Sequence, residues 1–488
     1  MNRSSSLAGR VALAIALMIG FYLLALAVCA LAVGLLYVDL QSGRFHPKLW
    51  VFAALTVGVV VYSLWPRRLA LEDPGIELER KDQPRLWAVV DELAKATGQA
   101  PPRKLFLVAD INAFVAERNS RLGFGGERIL GIGLPLMQVL SVQQLRSVIA
   151  HEFGHYHGGD TRLGPFIYRT REAIGRTVTT FRDADSWLQL PFHWYGKLYL
   201  HSTFAISRAQ EFAADALSVQ LVGVEPARSA LRRVNEVGPL FDSYLRGEYL
   251  PMLNRDCRPP LAHGFSLFLN SQQAAKAQAE LGERAMQAKG NPYDTHPPLS
   301  ERLKALEQVE RAHRGRADGP PALELLAALD ELERDLIEFV TRSDEIRKLP
   351  TLSWKESTAK YREHWARIAT GPGAKFPATL VREAPTLLPK LGELARSANP
   401  QLKRDDLQGA GAWYLGVLFA HALVRAGFEI ETGPGDPLEV ARGATRVDPF
   451  ARVDELYRKS LSESDWQRLC DELEVGGLAL CGPALAGA

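Results

Sequence analysis

The sequence predicts a mainly helical protein with one small β-sheet. It is laid out as an N-terminal membrane hairpin over residues 1–70, a central domain over 71–313 and a mostly helical domain over 322–488. Three observations predict this plan. Two long uncharged runs open the chain, Val11 to Val38 and Leu49 to Trp65. The string His151-Glu152-Phe153-Gly154-His155 sits inside a helical apolar pattern. A polar linker containing Gly and Pro, Arg314 to Pro321, precedes a long helical tail. At 488 residues, with 47% hydrophobic and 23% charged side chains, the chain can build ample core in more than one domain. A net charge of +2 gives no electrostatic case for nucleic acid as a partner. Cys29, Cys257, Cys470 and Cys481 share no metal-site or disulfide spacing, which is compatible with a reducing compartment.

The first run, 28 residues without a charge, exceeds the roughly 20 needed to span a bilayer. It is also too long for the apolar part of a signal peptide, about 7–15 residues. The second run has 17 residues, at the short limit for a span, and Trp50, Tyr62 and Trp65 suit an interface belt. The polar loop Asp39 to Lys48 joins the spans, placed at about 11–38 and 49–65, into a hairpin. Arg3, Arg10, Arg67 and Arg68 outside the hairpin outnumber Arg44 and Lys48 in its loop, which puts both ends of it on the cytoplasmic side.

Leu86, Val89, Val90 and Leu93 give Pro84 to Thr97 a helical stripe. Leu105 to Ala109 reads as a strand, and Ala113–Glu117 with Arg128–Gly133 as a hairpin turning at Gly123-Phe124-Gly125-Gly126. These glycines lack the spacing and Lys-Ser/Thr ending of a phosphate loop. Ser141 and Gln144 form a capping box ahead of the stripe Val142, Leu145, Val148, Ile149 and Phe153, and Gly158-Gly159 is expected to stop that helix. Gly154 leaves room for another backbone. Between Asp160 and Ser207, the cluster Trp187, Phe192, Trp194, Tyr195 and Tyr199 is interrupted by His193, Lys197 and His201, so no window reaches spanning length. That segment reads either as an amphipathic helix on the bilayer or as an aromatic-rich core helix. Beyond the linker, Leu323–Val340 is amphipathic and Asp448–Leu473 gives two helices. Gly409–Val424, which includes His421, suits a buried helix better than a third span. No catalytic motif stands out in this tail.

The chemistry begins at H-E-x-x-H. Residues four apart on a helix lie about 40° from one another, so His151 and His155 can grip one zinc ion while Glu152 acts as a base towards water. His157 lies about 200° around from His155 and is read as structural. Asp160 is read as anchoring the end of the helix. A third ligand at the end of H-E-x-x-H-x-x-G-x-x-H is disfavoured, because Gly158 is present but the last position is Thr161. Glu211 and Asp215 instead share one face of an Ala-rich helical segment, where two carboxylates are costly without a cation nearby. Glu211 is therefore expected as the third ligand and Asp215 as the partner that fixes the tautomer of a ligating imidazole. The alternative is a pair of solvated surface carboxylates.

Four stretches carry a resemblance. They are Asn112-Ala113-Phe114, His151 to His155 with Asp160, Ser207-Arg208 through Glu211 to Asp215, and Thr295-His296-Pro297-Pro298 with Glu301-Arg302. In this order, over roughly residues 75 to 310, the chain resembles the membrane zinc metallopeptidases that include the HtpX heat-shock proteases and the CAAX prenyl endopeptidases. The resemblance implies a gluzincin-type domain holding one zinc per chain through His151, His155 and Glu211. It implies Glu152 as catalytic base and Asp215 as support of the site. His296 or Arg302 would contact the site or the developing oxyanion, and Asn112, Ala113 and Phe114 would form an edge strand that pairs with substrate. The implied function is a membrane-anchored metalloendopeptidase of a bacterial inner membrane, with its catalytic domain in the cytoplasm. It would cut proteins or peptides at or near the bilayer, in quality control or processing. The chain departs from HtpX between Asp160 and Ser207, where the resemblance would place two further spans. The rival expectation is a non-proteolytic membrane scaffold with a structural zinc site and a C-terminal interaction domain.

Overall fold

The computed structural model describes the chain except residues 1–2, 44, 66–71, 119–125, 156–163, 292–293, 311, 372–378, 404–406 and 482–488. The described chain is mostly helical, with two small sheets. It divides into two compact units, one of residues 1–236 and 280–329 and the other of residues 237–279 and 330–488.

In the first unit, α1 (Arg3–Gln41) and α2 (Pro47–Leu64) form the expected hairpin. Both are long and apolar enough to cross a membrane. Their connection is stapled by Asp39, whose carboxylate accepts from the His46 backbone N–H and the Trp50 indole, each at 3.1 Å. Next come β1 (Ile76–Glu77), α3 (Pro84–Ala96), β2 (Lys104–Val108), β3 (Ala113–Arg118) and β4 (Glu127–Gly133). The sheet order is β1-β2-β4-β3, with β2 and β4 parallel and the other pairs antiparallel. β3 is thus an edge strand, paired with β4 in the expected hairpin with Val115 opposite Leu130. The stripe of α3 is buried, as its periodicity predicts. The glycine turn of the hairpin falls partly outside the described residues.

After α4 (Leu134–Val139) comes α5 (Val142–Gly154), which opens on the predicted capping box between Ser141 and Gln144. It closes at Gly154 with His155 as C-cap, earlier than the expected stop at Gly158-Gly159, which lies outside the described residues together with His157, Asp160 and Thr161. α6 (Gly164–Asp183) and α7 (Gln189–Val222) follow, then α8 (Val224–Tyr244). The 34 residues of α7 make one helix of both the aromatic cluster and the Glu211–Asp215 segment.

The aromatic cluster divides between its two readings: Phe192 and Tyr199 are fully buried, as in a core helix, while Trp187 and Trp194 stay exposed. Phe181, Phe192 and Tyr199 pack with Phe21, Ala25 and Val60, so α6 and the first half of α7 dock along α1 and α2 as a hairpin. The surface that its buried side covers is the apolar pair α1 and α2.

The second unit is built around the helix Leu407–Arg425, whose Leu415, Val417, Leu418, Phe419 and Leu423 are buried among Trp365, Val381, Leu391 and Trp466. It meets the length and composition of a span, yet most of it is buried in this core, as expected for Gly409–Val424. The two helices expected in Asp448–Leu473 are Pro449–Tyr457 and Glu463–Glu472. The second sheet, β5 (Glu429–Glu431), β6 (Glu439–Arg442) and β7 (Thr445–Val447), was not expected. Strands of three or four residues carry too little alternation to register as a period.

Candidate active site

α5 and α7 bring the motif residues together because small residues line their crossing. A Cβ added at Gly154 would stand 2.6 Å from the Cα of Ala214, a separation only glycine permits. Farther along, the Ser147 and Ser218 hydroxyls are 2.9 Å apart, and Ser218 also donates to the Ser147 carbonyl at 2.8 Å. The two backbones therefore run close enough for His151 and His155 on α5 to face Glu211 and Asp215 on α7.

The two imidazoles stand edge to face, with ring centres 4.8 Å apart. Nε2 of His151 is 3.7 Å from one oxygen of Glu211, and Nε2 of His155 is 3.6 Å from the other. Two ligands about 2.1 Å from a shared tetrahedral ion stand about 3.4 Å apart, so these separations suit one cation between the groups. Nδ1 of His151 is 2.9 Å from Asp215. That contact assigns the proton to Nδ1 and leaves the Nε2 lone pair facing Glu211. The buried Oε2 of Glu211 has no squarely aligned hydrogen-bond donor, although two cationic groups stand close by. Donor atoms of His151, Glu152 and His155 also lie within 4.8 Å of one another, a cluster that could hold a metal ion. The donor set fits a divalent cation.

Arg302, from the helix Leu299–Leu306, clamps Asp215 through Nε at 2.8 Å and Nη2 at 2.7 Å, and its Nη1 lies 3.1 Å from Glu211. Its side chain is almost fully buried, so it holds the two carboxylates. Burial works against the charge of Asp215, but the Arg302 guanidinium and the His151 ring outweigh it and bring the carboxyl down to about 2. The same balance, with His296 and Arg302 opposing burial, lowers Glu211. His155 is lowered to about 4 by burial and by the neighbouring His151. Glu152 is pushed up to about 7, by burial first and by Glu211; His151 and the Val115 backbone N–H pull the other way.

His296 sits at the mouth with an exposed side chain, Nδ1 being 3.1 Å from Glu211, which raises its pKa. Its loop is pinned by Arg208 of α7, which donates to the Asp294 carbonyl at 2.9 Å, and by Asp294, which accepts from the His296 backbone N–H at 3.1 Å. The Arg208 of the motif thus fastens the loop that carries His296.

These groups line a cleft of about 530 Å³ that Asn112 and Ala113 also border. Phe114 points to the other side of the sheet, where its ring covers Gly131 and packs beside Phe106 and Val108. Sequence reasoning missed the apolar wall opposite, formed by Ala227, Ala230, Leu231 and Val234 of α8. Their three- and four-residue spacing was the available signal, but it does not tell a cleft wall from core.

Residues 80–310 match the sequence profile of peptidase family M48. The chain is 24% identical over 297 residues to the protease HtpX homolog of Methanocaldococcus jannaschii, covering 57% of this chain and 94% of that protein. It is 28% identical over 240 residues to the protease HtpX homolog of Acidiphilium cryptum, covering 46% and 74%. With protease HtpX of Idiomarina loihiensis it shares 27% over 285 residues, covering 53% and 86%. No solved structure matches the chain significantly. The stretch that matches holds the H-E-x-x-H helix, the carboxylates facing it and the clamping arginine, so this part of the chain is similar to peptidase family M48 and to the HtpX proteases.

Proposed function

We propose that the protein is a membrane-anchored zinc metalloendopeptidase in which His151, His155 and Glu211 hold one zinc ion and Glu152 moves the proton. The observation that carries this reading is the approach of both Nε2 atoms to the two oxygens of Glu211, at 3.7 and 3.6 Å, with Asp215 behind His151. When bound, zinc supplies Lewis acidity to a substrate carbonyl and makes water more acidic. Glu152, whose carboxyl titrates near 7, takes a proton from water and returns it to the leaving amine. Asp215 and Arg302 keep the His151 ring and the Glu211 carboxylate in place. His296, at the mouth, donates a hydrogen bond to the carbonyl oxygen of the bond being cut.

The free edge of β3, from Asn112 onward, pairs with an extended substrate, and the α8 wall takes an apolar side chain. Arg302 then acts from behind the carboxylates rather than on substrate. The domain plan is a membrane hairpin over residues 1–70, a peptidase domain over 71–313 and a C-terminal domain over 322–488 that handles substrates or partners. The peptidase domain faces the cytoplasm at a bacterial inner membrane and cuts membrane-associated or misfolded proteins.

The reading is tested by Glu152→Gln and Glu211→Ala. The first is expected to keep bound zinc while cleavage of a membrane protein substrate falls by about 10²–10⁴-fold. The second is expected to lose zinc, measured by elemental analysis of the purified chain. Full biological activity in Glu152→Gln would establish the scaffold reading instead, and unchanged zinc in Glu211→Ala would remove the third ligand.

A further inference from the structure

The hairpin of α6 and α7 lies at the level of the apolar helices. Tyr195 donates to the Leu17 carbonyl of α1 at 2.5 Å, and the rings of Phe192 and Phe21 are 6.2 Å apart. Arg176 donates to the Ser63 carbonyl at the last turn of α2, at 3.2 and 3.1 Å. A bilayer that holds α1 and α2 therefore also meets this hairpin, near the end where α1 begins and α2 stops. The hairpin's outer face suits that setting, since Trp187, Leu190, Trp194 and Leu198 are all more than half exposed.

On this face runs a groove of about 470 Å³. Its α6 side is the stripe Arg171, Ile174, Gly175 and Val178, and its α7 side is His193, Gly196, Lys197 and Leu200. Both have the i, i+3, i+4, i+7 spacing of one helix face. Glycine opens the floor: a Cβ at Gly175 would meet nothing within 4 Å, and one at Gly196 would meet only Ile174. The groove thus has apolar walls and three basic side chains, with no carboxylate lining it.

The cations are short of counter-charge. Arg171 donates to the hydroxyls of Thr203 at 3.1 Å and Ser207 at 3.3 Å and lies 4.5 Å from the centre of the Phe204 ring. The Lys197 ammonium lies 4.9 Å from the centre of the Trp194 ring. Neither pairs with a carboxylate among the described residues. A partly buried guanidinium beside lipid is costly without an anion, and Lys197 is long enough to reach the headgroup layer. Basic pockets between membrane helices are sites for anionic headgroups.

We propose that this groove binds one anionic phospholipid. The phosphate lies between Arg171 and Lys197, with His193 beside it, and an acyl chain runs over Gly175 and Gly196 along Ile174, Val178 and Leu200. The lipid completes the charge balance of the hairpin whose second helix continues into the Glu211 segment. The inference rests on α1 and α2 being membrane helices, which is checked separately by whether extraction of the chain requires detergent.

The test is native mass spectrometry of the full detergent-purified chain with phosphatidylglycerol or phosphatidylcholine of identical acyl chains, with inorganic phosphate as competitor. One phosphatidylglycerol is expected to stay bound under activation that strips phosphatidylcholine, and millimolar phosphate is expected not to displace it. Arg171→Gln with Lys197→Gln is expected to lower its occupancy at least tenfold. Gly175→Leu, which fills the groove without touching a charge and meets no neighbour at its Cβ, is expected to do the same with an unchanged melting temperature. Equal retention of the two lipids overturns the proposal, as does full occupancy in Gly175→Leu. Displacement by phosphate identifies a free-anion site and overturns it too.

Discussion

At the scale of single residues, the Glu152 carboxyl is at odds with stability. Burial raises it to about 7, well above the usual glutamate value of about 4.3. In the folded chain it keeps a proton that the unfolded chain releases between about pH 4 and 7. Stability therefore falls as pH rises through that window and stays lower above it. In chain stripped of metal by a chelator, Glu152→Gln removes this penalty. The variant is expected to melt with wild type at pH 4 and to be more stable at pH 8 by about 3–4 kcal/mol. Thermal melts in detergent at the two pH values check it; equal stability at pH 8 would mean that the cleft leaves Glu152 in water. The residue proposed to move protons is thus one the fold holds at a cost, a common trade at catalytic sites. Asp215 is the opposite case, a buried carboxylate kept charged by Arg302 and His151.

At the scale of elements, the site depends on how closely α5 and α7 cross. Gly154→Val would place a Cβ 2.6 Å from the Cα of Ala214, and because the obstacle is backbone, the helices must part. Overpacking of this kind costs about 1–3 kcal/mol, and a displacement of about 1 Å can cost 10²-fold in rate. The variant is expected to keep its helical circular dichroism while its zinc content falls at least tenfold. Gly238→Ala on α8, where a Cβ meets nothing within 4 Å, is expected to change neither. This crossing also explains what the sequence made legible. The capping box at Ser141, the stripe of α5 and the spacing of Glu211 and Asp215 are local signals, and each points to the observed helix. The clamp of Arg302 on Asp215 joins residues 87 apart, so its partner could not be read from spacing. Nor could the lodging of α6 and α7 against α1 and α2, because an apolar stripe specifies a buried face without naming what covers it.

At the scale of the whole molecule, composition and contacts divide the chain differently. The polar stretch Arg314 to Pro321 looks like a linker, yet residues 237–279 ahead of it cluster with 330–488 behind it. The ties are specific. Glu333 accepts from the backbone N–H groups of Leu261 and Ala262, both at 2.8 Å, and so caps the helix Leu261–Asn270 from outside. The Trp354 indole donates to the Pro260 carbonyl at 3.0 Å, and Arg258 donates to Thr351. Tyr244 and Phe265 are buried in the same aromatic group as Trp354. A chain truncated after Pro321 loses all of these partners. Each exposed aromatic or aliphatic side chain costs about 1.5–3 kcal/mol, and the cap costs about 1–3 kcal/mol more. The truncated chain is expected to retain α1 to α7 but to be cut by trypsin within 237–279, at Arg246, Arg255 or Lys276, where the full chain resists. Peptide mass mapping after brief digestion reads the difference. Equal resistance in the two chains would mean that 237–279 folds without its C-terminal partner and that the linker is a true boundary.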